Sequence, residues 1–405
     1  MKRWTQITGD FWHEGVVSFR CYLLARKLIC RPVSCQCPNC TKRVRPQWVC
    51  CKRDSGATAF ARLDMAMRQG ANMTCDVASI QADNYVCEPG EVERREISLS
   101  SSDGTSALVG YMWQAPGQVK PRAIVQLVHG MAEHILRYEP FARYLATYGF
   151  LVVGHDHIGH GESVPDPSSW GVMKPKTGAD HLVGDVHRVR NYVQVRYPYI
   201  PYFVFGHSMG SFVVRNYLCA YGKGLSGAVV CATGWQLPVA LAFGRLVCDI
   251  VGGVRGWDHR SKFVNFLADG AYGRAFGPEE GGKLGWLTRD PEQRELFDKD
   301  PACGFVFSVA AYHELFSLVG SSQKRSRVAY MRPEVPVLLI AGSQDPVGNN
   351  GEAIPKVARL MRACGVRDVQ EKIYPDARHE LLNETNRDEV FSDVLCWLEG
   401  CLAAE

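Results

Sequence analysis

Tyr202-Phe-Val-Phe-Gly206-His207-Ser208-Met209-Gly210 is the stretch on which the reading of this chain turns. A short aromatic and β-branched run leads into two glycines framing a serine, and an apolar helical pattern continues to Tyr221. Strand, sharp turn and helix in that order put the serine at the carboxyl end of a strand. Glycine is needed on either side because side chains there would collide with strand and helix as the chain reverses. The turn lifts the Ser208 hydroxyl clear of the backbone and leaves the N–H of Met209 facing the same space.

Outward from this turn the pattern of strand, turn and helix repeats. Arg95 to Ser100 and Leu108 to Gln114 read as an antiparallel pair around Ser102-Asp103-Gly104. Ala123 to Val128 is a nearly continuous apolar run ending in His129-Gly130, as in a strand buried on both faces. Tyr138 to Tyr148 predicts a helix closed by Gly149, Phe150 to Gly154 a strand, and His181 to Tyr197 a helix. Ala228 to Cys231, Val337 to Ile340 and Lys372 to Tyr374 predict three further strands, and Glu389 to Leu402 a closing helix. Such alternation implies an α/β fold with a mostly parallel central sheet flanked by helices. The interval between Gly234 and Arg332 is too long for a loop and reads as an inserted helical cap. The expected organisation is therefore a core at 89–234 and 333–405, with the cap at 235–332. Residues 224–244 lack charge, yet Gln236 and Pro238 interrupt them, so strand, loop and first cap helix explain them better than a membrane span.

A serine hydroxyl is a poor nucleophile at neutral pH and needs a base in reach. His379, in Asp376-Ala-Arg-His379-Glu-Leu-Leu, follows the last predicted strand, and Asp345 follows the strand at 337–340. All three side chains are thus expected at the carboxyl ends of strands, where open α/β sheets place their sites. Serine, acid and histidine occur in the chain order of an α/β-hydrolase fold. Acyl transfer also needs two N–H donors for the oxyanion. Met209 is one candidate and Met131, in the loop after Val128, the other. The cluster His155-Asp-His157-Ile-Gly-His160 carries three imidazoles, but the spacing of a metallohydrolase site is absent, so no metal and no cofactor are expected.

His129-Gly-Met-Ala-Glu-His134 with Arg137-Tyr138, Asp156-His-Ile-Gly-His-Gly-Glu-Ser163 and Gly206-His-Ser-Met-Gly210 together resemble the monoacylglycerol lipase and lysophospholipase branch of α/β-hydrolases. Trp286 to Pro291 and Asp300 to Phe305 resemble the same branch within the cap. The resemblance runs from about Glu93 to the C-terminus. It implies Ser208, Asp345 and His379 as the triad, Met131 and Met209 as the oxyanion hole, and Glu133 and Arg137 as contacts at the glycerol end of the pocket. It explains Asp156, Gly159, His160 and Gly161 as a structural loop near the nucleophile. It further implies a cap that shelters an acyl chain, for which Pro238 to Ile250 has the apolar character. Met131 departs from the smaller residues often found there, which implies a narrower pocket mouth. The expected substrate is a lipid-like small-molecule ester, with the cap a candidate for transient contact with a membrane surface. A peptidase or thioesterase on the same triad, or a non-catalytic binding protein on this scaffold, are the alternatives.

The 405 residues are compositionally two pieces. Residues 1–60 hold eleven Lys/Arg against three Asp/Glu, so the chain's net charge of +4 hides a mildly acidic remainder. That balance is too weak for nucleic-acid binding. Nine of the 16 cysteines fall within residues 1–87. Cys37-Pro-Asn-Cys40 is a zinc-knuckle pattern, but the second half of such a site is missing after Cys50-Cys51. Residues 1–88 read as a basic, cysteine-rich leader, poorly ordered or not native to the protein, with Met65, Met67 and Met73 as alternative starts. No secretory signal is legible, because Asp10, His13 and Glu14 interrupt the opening, and a cytoplasmic location is expected.

Overall fold

The computed structural model describes residues 85–268 and 272–404. The expectations for the leader, including Cys37, Cys40, Cys50 and Cys51, lie outside the described residues. The last residues of that stretch do fall within them, and the Val86 N–H donates to the Thr147 carbonyl at 2.8 Å.

An eight-stranded sheet forms the centre, in the order β1-β2-β4-β3-β5-β6-β7-β8. The strands are β1 (Glu93–Ser100), β2 (Ala107–Gln114), β3 (Ile124–Val128), β4 (Leu151–His155), β5 (Tyr202–His207), β6 (Gly227–Cys231), β7 (Val337–Gly342) and β8 (Val369–Tyr374). The first two pair antiparallel to each other, β2 pairs antiparallel with β4, and the remaining pairs are parallel. Every residue of β3 to β7 is buried, which is why these strands read as mostly apolar runs, broken only by Gln126 and the closing His155 and His207. At the far edge β8 is buried only at its ends, Val369 and Tyr374, and between them partly buried and exposed residues alternate, so its first half left no strand signal.

Helices cover both faces: α1 (Glu139–Ala146), α2 (Gly178–Arg196), α3 (Met209–Tyr221), and later α9 (Ala353–Ala363) and α10 (Arg387–Ala404). The sequence reading did not anticipate α9, which carries Ile354, Val357, Ala358 and Met361 into the core on its inner face. The two faces of the sheet bury separate apolar layers. Val186, Val213 and Val214 pack on one side, and Phe141, Leu145 and Trp397 on the other.

Between β6 and β7 the chain forms α4 (Pro238–Arg255), α5 (Lys262–Ala268), a strap of short 3-10 turns from Tyr272 to Leu284, α6 (Pro291–Lys299), α7 (Val309–Ser322) and α8 (Arg325–Val328). The inner face of α4, through Leu241, Gly244 and Cys248, packs on α7; a side chain at Gly244 would sit 2.8 Å from the Phe316 ring.

Candidate active site

The turn after β5 holds Ser208 at φ +52°, ψ −119°, in the positive-φ region that an ordinary residue enters only under constraint. The constraint is visible in the neighbours. A Cβ at Gly206 would lie 2.4 Å from the Gly210 carbonyl, and one at Gly210 would lie 2.1 Å from the Val128 carbonyl. The turn is therefore wedged between β5 and the end of β3, with backbone too close on both sides for any other residue. The Ser208 N–H donates to the Cys231 carbonyl at 3.1 Å, and the Ser211 hydroxyl holds the Ser208 carbonyl at 2.6 Å.

Ser208, His379 and Asp345 come together as one chain of hydrogen bonds. Ser208 Oγ lies 2.8 Å from His379 Nε2, and His379 Nδ1 lies 2.9 Å from Asp345 Oδ1. A carboxylate can only accept, so Nδ1 carries the imidazole proton and Nε2 is left to take one from the hydroxyl. The Val347 N–H also donates to Asp345 Oδ1 at 2.9 Å, fixing the carboxylate within its own turn. Asp345 and His379 are buried. Burial is the largest single influence and opposes the imidazolium, but the charge and hydrogen bond of Asp345, with the charges of Glu380 and Glu133, together hold His379 above its ordinary pKa. His207, whose ring centroid is 4.8 Å from that of His379, is pushed far the other way by burial and by the charge of His379. Trp286 covers His379 from the cap side, with ring centroids 5.0 Å apart.

Met209 opens α3, where the first N–H groups have no partner inside the helix. Met131 stands beside it on the wall of the same cavity. The loop carrying Met131 passes directly over the serine: a Cβ on Gly130 would be 3.1 Å from Ser208 Cβ. Ala132 takes φ +52°, and its carbonyl accepts the Gly304 N–H at 2.8 Å.

Glu133 and Arg137 lie behind this loop and are engaged with protein. Glu133 Oε1 accepts from the Gly130 N–H at 2.6 Å and the Tyr138 hydroxyl at 2.8 Å, while Oε2 accepts from Arg137 at 2.8 Å. Arg137 also makes a two-pronged pair with Glu380, both bonds 2.7 Å, and stacks over Phe297 at 4.8 Å. Burial raises Glu133, whereas for Glu380 the Arg137 charge overcomes burial and holds the carboxyl at about 2. Glu133 and Glu380 reach the cavity wall, and Arg137 stands behind them. Glu380, Tyr138 and Trp286 were not expected at the site. Only the position of Glu380 next to His379 hinted at its place.

The histidine cluster is a buried, neutral packing unit. The His157 N–H donates to His129 Nε2 at 2.9 Å, so His129 keeps its proton on Nδ1, 2.8 Å from the Gly130 carbonyl. Burial lowers all four imidazoles, with His155 and His160 at about 4. Among the described residues, the donors closest to a metal-binding arrangement are His134, Asp300 and Cys303, within 4.8 Å of one another. His134 Nε2 already pairs with Asp300 at 2.8 Å.

The serine opens onto a cavity of about 1070 Å³ walled by Leu241, Phe243, Phe266, Leu315, Phe316 and Val319 among others. A nucleophile elbow with histidine and carboxylate behind it, on this sheet and under this cap, defines an α/β-hydrolase. Residues 119–386 match the family described as serine aminopeptidase, S33 (Hydrolase_4), and the chain belongs to that family of hydrolases. It is 27% identical over 286 residues to a monoacylglycerol lipase of Mycolicibacterium smegmatis, covering 69% of this chain and 88% of that protein. A mouse monoglyceride lipase is likewise 27% identical over 310 residues, covering 76% of this chain and 91% of its own. A thermostable carboxyl esterase from Bacillus coagulans, solved with glycerol, superposes with TM-score 0.70 at 29% identity, over 76% of this chain and 99% of that one.

Proposed function

We propose that the protein hydrolyses carboxylic esters of lipids, with monoacylglycerols and lysophospholipids as the substrate class, through an acyl-enzyme on Ser208. The observation that carries this is the hydrogen-bonded chain Ser208–His379–Asp345 at the floor of a large apolar chamber. Ser208 Oγ attacks the ester carbonyl while His379 Nε2 takes its proton. The same imidazolium then protonates the leaving alcohol, and water, activated by His379, releases the fatty acid. Asp345 orients the ring and stabilises its charged form. The N–H groups of Met131 and Met209 hold the oxyanion of each tetrahedral intermediate. Glu133, Arg137 and Glu380 keep the Met131 loop in place, and Glu133 borders the head-group end of the chamber. The cap at 235–332 encloses the acyl chain against Phe243, Phe266 and Phe316.

The family's description raises an amide reading. An aminopeptidase needs a free carboxylate for the substrate's ammonium; Glu133 and Glu380 on this wall are both committed to Arg137, which leaves only the exposed Asp298 for that role. The apolar walls favour an acyl chain. We further propose that the exposed side of the cap touches the lipid surface that supplies the substrate. Among the described residues no helix is long and apolar enough to cross a membrane.

Ser208→Ala should lower turnover of a monoacylglycerol by about 10⁴- to 10⁶-fold and abolish labelling by a fluorophosphonate probe. Retention of turnover would remove Ser208 from the mechanism. A marked preference for aminoacyl amides or acyl-CoA over monoacylglycerols would displace the lipid ester.

A further inference from the structure

The residue before the catalytic histidine does something that neither the triad nor the oxyanion hole accounts for. Arg378 is buried, with 5% of its surface exposed, and makes no close carboxylate pair. Its Nη1 donates instead to two backbone carbonyls of the cap strap, Glu280 at 2.8 Å and Gly285 at 2.6 Å. Its guanidinium lies over the Phe276 ring, 4.4 Å from the centroid. The nearest carboxylate oxygen, on the half-exposed Glu280 side chain, is 3.5 Å away. A buried cation satisfied mainly by carbonyls is costly to maintain and holds its partners in fixed places.

Those partners are the wall of the substrate chamber. Phe276, Gly282, Leu284, Trp286 and Leu287 all line it. Immediately after the Arg378 clamp the two segments continue side by side. The His379 N–H donates to the Trp286 carbonyl at 3.2 Å, and the Glu380 N–H to the Leu287 carbonyl at 2.7 Å. Trp286 then packs at a tilt against the His379 ring. The Arg378 N–H is itself held by Glu384, whose second oxygen takes Arg289 of the cap at 2.9 Å.

We propose that Arg378 is a positioning residue that makes the cap strap and the catalytic histidine one rigid unit, so that the strap must be seated for His379 to reach Ser208. Nothing of the reaction passes through Arg378 itself; it acts on His379 through the strap and the shared backbone. This rests on the reading of His379 as the general base. The flat guanidinium is the reason for arginine: the two hydrogens of Nη1 reach both carbonyls while the planar face packs on Phe276, and a lysine ammonium lacks that face.

The experiment compares Arg378→Met, Arg378→Lys and Glu280→Gln with the parent enzyme on a short-chain p-nitrophenyl ester, alongside the rate of fluorophosphonate labelling. Arg378→Met should lower kcat and the labelling rate together by about ten- to a hundredfold, with KM within about twofold, because a misplaced base costs rate and not binding. Arg378→Lys should fall between, and should cover the case in which the methionine variant does not fold. Glu280→Gln should match the parent, since the clamp uses the carbonyl of Glu280 and not its side chain. Parent-like kcat and labelling in either Arg378 variant, with only the melting temperature reduced, would overturn the proposal. Absence of labelling in the parent would instead remove the general-base reading on which it rests.

Discussion

His379 sets how the reaction should respond to pH. In the proposed mechanism its neutral form is the base, and Asp345 is the main influence raising it above the ordinary imidazole value of 6.5. Activity should therefore fall as pH drops through a midpoint above 6.5, and the kcat/KM profile of a soluble ester measures that midpoint directly. Asp345→Asn removes the dominant raising influence while burial, which lowers the value, remains. The acid limb should then move to lower pH and kcat should fall by about 10⁴-fold. A limb that stayed in place would assign the ionisation to another group. These three residues were legible in the sequence because a nucleophile, its acid and its base each follow a strand in fixed order. Glu380 was not, since its role depends on meeting Arg137 from a segment 243 residues away. Glu133 and Arg137 were singled out by the resemblance, but Gly130, Tyr138 and Glu380, which occupy their hydrogen-bonding groups, were not legible as their partners.

The strand, turn and helix around Ser208 work only as a unit, and the glycine at its far end is its tightest point. A methyl group at Gly210 would press on the Val128 carbonyl at 2.1 Å and the His129 carbonyl at 2.6 Å. The first belongs to buried β3 and the second to the residue directly after it, so neither moves aside without disturbing the pairing of β3 with β4 and β5. Gly210→Ala should cost about 3 kcal/mol or more in unfolding free energy, read from the shift of the urea midpoint. It should also silence the serine in whatever fraction still folds. Central elements such as β5 and β6 were legible because burial on both faces leaves an uninterrupted apolar run. Edge and surface elements were less so. In β8 the exposed Glu371 and Ile373 alternate with partly buried Gln370 and Lys372, blurring the strand signal. In α9 the polar outer face, with exposed Arg359 and Arg362, diluted the apolar stripe, and no helix was expected there.

Across the whole molecule, α4 is the element whose two faces do different things. Leu241, Gly244, Cys248 and Gly252 face inward, while Val239, Phe243, Leu246, Ile250 and Val254 recur at helical spacing on the outside, between 55% and 76% exposed. Phe263, Phe266 and Leu267 on α5 add to the exposed apolar surface. A contiguous patch of this kind is unfavourable in water unless something apolar covers it. Phe243, Phe266 and Leu267 also line the chamber, so the exposed surface runs without a break into the acyl site. A lipid leaving a bilayer would thus pass from one apolar surface to another and never cross water. Replacing Leu246 and Ile250 with serine should weaken sedimentation with phosphatidylcholine vesicles by about tenfold for each side chain, given roughly 1.5 kcal/mol of burial lost per residue. Hydrolysis of a monoacylglycerol held in those vesicles should fall in parallel. A short water-soluble ester should be turned over at the parent rate, because neither side chain lines the chamber or touches the triad. Loss of both activities together would place the two residues in the fold of the cap, and unchanged vesicle binding would assign the outer face of α4 to a different partner.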